Sequence, residues 1–376
     1  MTIRTLSIQG FRSIHKMNLS LSRLNIISGP NGCGKSNLYK AVRLLHEAAN
    51  GQLSQAIAHE GGIQKIMWAG GHRVGDRAKD SKRMTLAVEM EHYEYQLEIG
   101  FPEPLITMFA LDPLVKKENI WLSGYQHRPV SELMERTNQV AFLKNIDEQR
   151  ISYPMTLTPE DSIFGQLSDP HLYPEVSQVR ETMKNWRFYH EFSVSGNSPM
   201  RVPQVGIRSP ILSHDGTNLA AAFETLRERG QSETLFEVLD QAFPHSQFYV
   251  QEMGGRFQMM MQKEGILRPL ESAEFSDGTL RFLCLAVALL SPRPPNFMAL
   301  NEPENSLHPD LLPALARLIA EASRYTQLWL TTHSNELADM IKQYCEVQHY
   351  QLGQKNGETV VLGASFVEDD ELEQRQ

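Results

Sequence analysis

Cysteine is scarce, with three residues (Cys33, Cys284 and Cys345) in a chain of 376. They share no metal-ligand spacing and are too few for a disulfide framework, which excludes a disulfide-stapled secreted domain and leads us to expect a reducing, cytoplasmic setting. Long apolar runs are missing too. The longest, Phe282 to Leu290, has nine residues, far short of the roughly 20 that span a bilayer, and it reads as a buried helix. The start, Met1-Thr-Ile-Arg-Thr5, lacks a signal-peptide core, so no membrane association is expected. There is no surplus of positive charge: Lys and Arg number 36 against 45 Asp and Glu, a net charge of −9. Nucleic-acid binding by bulk charge is therefore not indicated, and only a local basic face could serve it. Sustained heptads, internal repeats and low-complexity tracts are absent, which excludes a long coiled coil and repeat architectures.

What is present is an ordinary soluble composition, 41% hydrophobic and 22% charged, long enough for two or three lobes. Within it stands Gly29-Pro-Asn-Gly-Cys-Gly-Lys-Ser36, a complete match to G-x-x-x-x-G-K-[ST]. Its glycines let the backbone turn successive N–H groups toward phosphate oxygens. Lys35 supplies the charge for the β and γ phosphates, and the Ser36 hydroxyl suits Mg²⁺. The flanks agree with the motif. Leu24 to Ile27 is a strand-type run, and Leu38, Ala41, Val42, Leu45 and Ala48 mark one face of a helix whose N-terminus adds its dipole to the anion site. The alternative is a glycine-rich turn that matches by accident. Cys33 reads as a small residue tolerated between two glycines, against a redox-sensitive thiol.

Along the chain, Ile3 to Gln9 and Met17 to Leu21 alternate as strands, Met84 to Met90 and Tyr93 to Ile99 as an antiparallel hairpin. From about Pro113 to Pro203 the pattern weakens, and the segment reads as an inserted lobe, mainly helical or irregular, with Ser131 to Asn145 as one helical stretch. The last third alternates strand and helix. The expected class is α/β with a mixed sheet, divided as residues 1–112 (phosphate loop and antiparallel strands), 113–203 (inserted lobe), 204–367 (second half of the head) and an acidic tail, 368–376.

Two further strands deliver functional groups. Phe297-Met-Ala-Leu300 runs into Asn301-Glu302-Pro303-Glu304, placing Glu302 at the carboxyl end of a buried strand, where α/β sheets hold ligands; it is the candidate to polarise an attacking water, with a solvated loop residue as the alternative. Gln327 to Thr332 ends at His333, which can reach a γ-phosphate or serve only as a structural hydrogen-bonder. Phe275-Ser-Asp-Gly-Thr279, at the start of an apolar helix, offers a second anion site through Ser276 and Gly278. One nucleotide does not need two such sites, so the second is expected to serve another subunit.

The ordered set of phosphate loop, Phe275-Ser-Asp-Gly-Thr279, Asn301-Glu302-Pro303-Glu304 and Thr331-Thr-His333-Ser334 resembles the ABC-type ATPase heads of the SMC/RecF/OLD-like group, and within it the small stand-alone bacterial predicted ATPases. Gly10-Phe-Arg-Ser13, Trp186-Arg-Phe-Tyr189 and the stretch from Ser209 to Leu219 look similar as well. The resemblance implies a P-loop ABC-ATPase head with ATP and Mg²⁺ as cofactors. Phosphate contacts would come from Gly29, Asn31, Gly32, Cys33, Gly34, Lys35, Ser36 and Asn37. Ser276 and Gly278 would act in trans in a homodimer that sandwiches ATP, Glu302 would be the catalytic glutamate and His333 the switch histidine, with Asn305 to His308 crossing the interface. Arg12 would approach the nucleotide, and Gln64 and Gln126 are candidates for the Mg²⁺-sensing glutamine. Asn301 stands where the group usually has a metal-holding Asp, so weaker Mg²⁺ affinity and slow turnover are expected.

The leading expectation is an ATPase whose cycle gates an action on DNA, in repair or phage defence, or a partner nuclease or other effector. A non-hydrolysing ATP-dependent scaffold is the alternative. A transporter nucleotide-binding subunit is disfavoured by the N-terminal strands, the inserted lobe and the Phe-Ser-Asp-Gly-Thr motif. No nuclease site is recognisable, and with so few residues after His333 no toprim-like nuclease domain is expected.

Overall fold

The computed structural model describes residues 1–71, 83–102, 108–167, 169–230 and 232–363; the acidic tail expected at 368–376 lies outside them. Strands β1 (Ile3–Phe11) and β2 (Ile14–Ser20) form a hairpin, β3 (Leu24–Ser28) leads into the phosphate loop, and α1 (Lys35–Ala49) follows. Two short helices, α2 (Leu53–His59) and α3 (Ile63–Ile66), precede the hairpin of β4 (Arg83–Met90) and β5 (Tyr93–Gly100). Four more strands come next: β6 (Leu114–Leu122), β7 (Glu132–Thr137), β8 (Val140–Lys144) and β9 (Arg150–Ser152). All but β3 join one antiparallel sheet of order β2-β1-β4-β5-β6-β7-β8-β9.

This corrects the expectation of a mainly helical or irregular lobe. Ser131 to Asn145 is the β7–β8 hairpin, and the boundary expected between residues 112 and 113 falls within one sheet, since β5 pairs β6 from Gly100↔Leu114 to Tyr93↔Leu122. The physical reason is that Glu132-Leu-Met-Glu-Arg-Thr137 is made of helix formers, yet its register across β6 is set by burial. At its centre the Arg136 guanidinium and the Glu118 carboxylate, both fully buried, lie 3.2 Å apart. Glu118 also accepts bonds from the Tyr95 and Ser162 hydroxyls and the Ile163 N–H. A buried pair so fully hydrogen-bonded pins the 157–167 segment to the sheet.

The chain continues through α4 (Pro174–Lys184), β10 (Arg187–Tyr189), β11 (Gln204–Val205), α5 (Leu219–Arg229), α6 (Ser232–Ala242), the hairpin β12 (Ser246–Met253) and β13 (Arg256–Lys263), and β14 (Leu270–Glu271). The last part comprises α7 (Asp277–Leu289), β15 (Phe297–Asn301), α8 (Leu312–Ala322), β16 (Gln327–Thr332), α9 (Asn335–Lys342), β17 (Gln348–Lys355) and β18 (Glu358–Val361). A second sheet has the order β10-β15-β16-β3-β17-β18, parallel from β10 to β17. Its central strands are buried on both faces, as parallel sheets are. Ile27, Ala299 and Trp329 face a core shared with α1 and the antiparallel sheet, whereas Ile26, Leu300 and Leu330 face a second core with α5 to α9. Parallel strands share one carboxyl edge, so the ends of β3, β15 and β16 meet there.

Candidate functional site

Register places the groups. Ser28 pairs with Thr332 and Asn301 with Thr331, so the phosphate loop, Glu302 and His333 leave adjacent strands at the same edge. Between β3 and α1 the loop bends at Gly29, Gly32 and Gly34, all with positive φ. Gly34, at φ 106, is the N-cap of α1 without a side-chain cap, and the first turn holds no acidic residue. The free N–H groups and dipole of a 15-residue helix thus face outward, an arrangement for an anion. Lys35 is 4% exposed and donates from Nζ to the carbonyls of Gly29 at 2.7 Å and Pro30 at 3.2 Å. Cys33 is buried against the loop's inner face, where it lies next to Gly29.

Asn31, Gly32, Gly34, Lys35, Ser36, Asn37 and Glu302 line one cleft of about 380 Å³. The structure therefore joins two motifs that lie some 270 residues apart in the sequence, an anion cradle and one carboxylate. Asn37 Nδ2 donates to Ser13 Oγ at 2.7 Å, and Ser13 Oγ is 2.7 Å from Thr359 Oγ1, so the β1–β2 turn and β18 brace the loop. The donor set fits a nucleotide phosphate, and the exposed Ser36 hydroxyl in the cleft is where Mg²⁺ could be held.

Glu302 sits at φ 47, uncommon for a residue with a Cβ. Its N–H donates to Thr331 O at 2.8 Å, its carbonyl accepts from Arg281 Nη2 at 3.1 Å, and its Oε2 accepts from Asn305 Nδ2 at 2.8 Å. The carboxylate is thereby aimed rather than free. His333 is 46% exposed, with Nδ1 4.0 Å from Glu302 Oε1 and 3.6 Å from Glu304 Oε1. Asn301 is buried, and its Oδ1 accepts from Thr331 Oγ1 at 2.7 Å, so the amide is turned into the sheet and does not line the cleft.

Ser276 caps α7, its Oγ accepting from Thr279 N at 3.1 Å, and is exposed. Neither Ser276 nor Gly278 lines the cleft of its own chain. Arg12 does not line the cleft: its guanidinium pairs with Glu60, which also takes Lys40 at 2.8 Å. Gln64 lies exposed on α3, and Gln126, in the β6–β7 turn, gives its carbonyl to Ser131. Neither joins the cleft lining.

Three residues that motif reading passed over organise the site. Glu304, 8% exposed, accepts from the Thr332 hydroxyl and the His333 N–H and so fixes the turn after β16. Arg201, also 8% exposed, donates to the carbonyls of Val194, Ser195, Ser272, Ala273 and Phe275 and pairs with Asp277, holding the loop that presents Ser276. Arg281 ties α7 to Glu302. Burial lowers its pKa, against the opposing pull of Glu191 and Glu304. Only the Pro303-Glu304 step, a carboxylate following an apolar run, carried a sequence signal for any of them. Among the described residues no group of three or more His, Cys, Asp or Glu is placed to hold a metal ion, and no helix is long and apolar enough to cross a membrane.

The Smc head bound to the C-winged helix domain of ScpA is 15% identical, with a TM-score of 0.56 over 97% of this chain and 99% of that one. The Smc head with an extended coiled coil bound to the C-terminal domain of ScpA, derived from Pyrococcus furiosus, is 13% identical, with a TM-score of 0.52 over 96% of each chain. At these identities the likeness is one of fold. No curated protein matches the chain. Residues 24–339, from β3 to α9, match the family model described as AAA domain, putative AbiEii toxin, Type IV TA system. The chain therefore belongs to that AAA-domain family, and its fold is that of an SMC-type ATPase head.

Proposed function

We propose that the chain is an ATPase whose two heads close on ATP and Mg²⁺ and part after hydrolysis. The observation that carries this reading is the shared cleft, in which a phosphate cradle is faced by the single aimed carboxylate of Glu302. Lys35 would exchange the Gly29 and Pro30 carbonyls for phosphate oxygens, with the α1 N–H groups and dipole completing the cradle. Mg²⁺, when bound, would screen the phosphate charge, held by Ser36, while Asn301 would have to release the Thr331 hydroxyl to contribute. Glu302 would accept the proton of the attacking water, and His333 would donate toward the γ-phosphate. Arg12 would have to leave Glu60 to take part.

Ser276, exposed, and Gly278, half-buried, stand at the start of α7 outside their own chain's cleft and would complete the site of a second copy. The family description as a toxin of a type IV system, and the ScpA domains bound by the two Smc heads, support a cycle that gates a cytoplasmic partner, a nuclease or other effector, or an action on DNA. Slow turnover is favoured by Asn301, an uncharged side chain whose oxygen is engaged by Thr331. The same observation favours the second reading, a scaffold that ATP merely holds together.

Sedimentation with ATP and Mg²⁺, alongside phosphate release, separates these readings. Glu302→Gln is expected to dimerise on ATP while hydrolysing about 10²- to 10⁴-fold more slowly. ATP-driven dimerisation of both proteins with phosphate release from neither would point to the scaffold. If neither protein changed mass or released phosphate, the sandwich would be wrong.

A further inference from the structure

The N-terminal half of α7 touches the turn that carries Glu302 at two points. Arg281, 7% exposed, donates from Nη2 to the Glu302 carbonyl at 3.1 Å. Gly278 lies so close that a Cβ there would stand 3.0 Å from Ser306 O. Arg281 follows Ser276 by five positions, about 7.5 Å along a helix axis. Leu280 to Leu289 are all buried, so this helix is close-packed along its length and a displacement of its start would be carried along it.

Glu302 is correspondingly sensitive. Its backbone is held at φ 47 between two elements, the Thr331 carbonyl of β16 on its N–H and Arg281 of α7 on its carbonyl. Such a conformation persists only when its surroundings impose it. A shift of α7 would be passed to the Glu302 carbonyl through a rigid guanidinium, while Thr331 holds the other side of the residue. Arg281 Nε and Glu304 Oε2 are both buried without a hydrogen-bond partner among the described residues, which leaves each a bonding position for a second arrangement.

We propose that Arg281 is a positioning residue that couples whatever docks on Ser276 and Gly278 to the setting of Glu302 in the same chain. The inference rests on the nucleotide-sandwich reading above. In a dimer, Ser276 and Gly278 face the partner's nucleotide while Glu302 serves the chain's own. Each head therefore sets its general base according to the occupancy of the other site, and the two hydrolysis events are linked through α7.

The test compares wild type, Arg281→Gln and Arg281→Lys as full-length chains, with melting curves to establish folding. ATP-driven dimerisation is followed by sedimentation and hydrolysis across an ATP series. Arg281→Gln is expected to dimerise at the wild-type ATP concentration but to lose about 10- to 100-fold in kcat, the cost of a group misplaced by about an ångström. Its Hill coefficient should fall toward one from a wild-type value between one and two, and Arg281→Lys should recover part of both. Should Arg281→Gln fail to fold, Arg281→Lys decides alone: a lowered kcat with unchanged dimerisation supports the coupling, and wild-type values overturn it. Unchanged kcat and cooperativity in a folded Arg281→Gln would sink the coupling and leave the ATPase reading standing. A wild type that neither hydrolyses nor dimerises would remove both.

Discussion

At Gly34 two constraints coincide. The residue sits at φ 106, and a Cβ there would lie 2.0 Å from Thr359 Oγ1, so both the backbone and the neighbouring strand refuse a side chain. Gly32, at φ 81, has open space around the same position and bears only the backbone constraint. Gly34→Ala is therefore expected to cost about 1–3 kcal/mol in urea unfolding and to abolish binding of a fluorescent ATP analogue, because the loop must leave Thr359 to accommodate the methyl group. Gly32→Asn, a residue that tolerates positive φ, should bind the analogue far better. Equal binding by wild type and Gly34→Ala would mean that the brace from Thr359 does not shape the cradle.

Helix α1 carries the cradle at one end and docks α4 near the other, where His46 Nδ1 lies 2.8 Å from the Met183 carbonyl. Burial lowers the His46 pKa from its ordinary 6.5, against the opposing effect of that bond. The unfolded chain then takes up a proton at a pH where the folded chain does not, so stability is full above about pH 6.5 and falls as the pH drops toward the lowered value. His349, also lowered by burial, adds in the same direction. Urea midpoints of His46→Gln should decline less steeply between about pH 6.5 and 5 than those of wild type; parallel slopes would exclude His46 as the group. At this scale the sequence was legible where period and punctuation agreed. The β4–β5 hairpin follows from alternation and α7 from its apolar run. Strands β6 to β9 were not legible, since Glu132 to Thr137 has helical propensity and becomes a strand only through its neighbours. The same holds for the site: Lys35, Ser36 and Glu302 announce themselves by motif, whereas Arg201 and Arg281 acquire meaning only from carbonyls far away in the chain.

For the whole molecule, the exposed start of α7 depends on Arg201, whose guanidinium reaches five carbonyls and Asp277. A lysine keeps the charge but not the planar fork. Arg201→Lys is expected to weaken ATP-driven dimerisation at least about tenfold while leaving nucleotide affinity of the single head unchanged; loss of both in parallel would assign Arg201 to general folding. The topology carries a further consequence. Strand β3, near the start, has β16 and β17 as its two neighbours, so its backbone ladders on either side come from residues 327 onward. On the ribosome, Leu24 to Ser28 must wait some 300 residues for partners, on the order of 15 to 60 s at ordinary translation rates. The nascent chain thus carries an unpaired apolar strand until β16 and β17 emerge, while the β1–β2 hairpin beside it can already close, and chaperone demand should be greatest before residues 327–355 emerge.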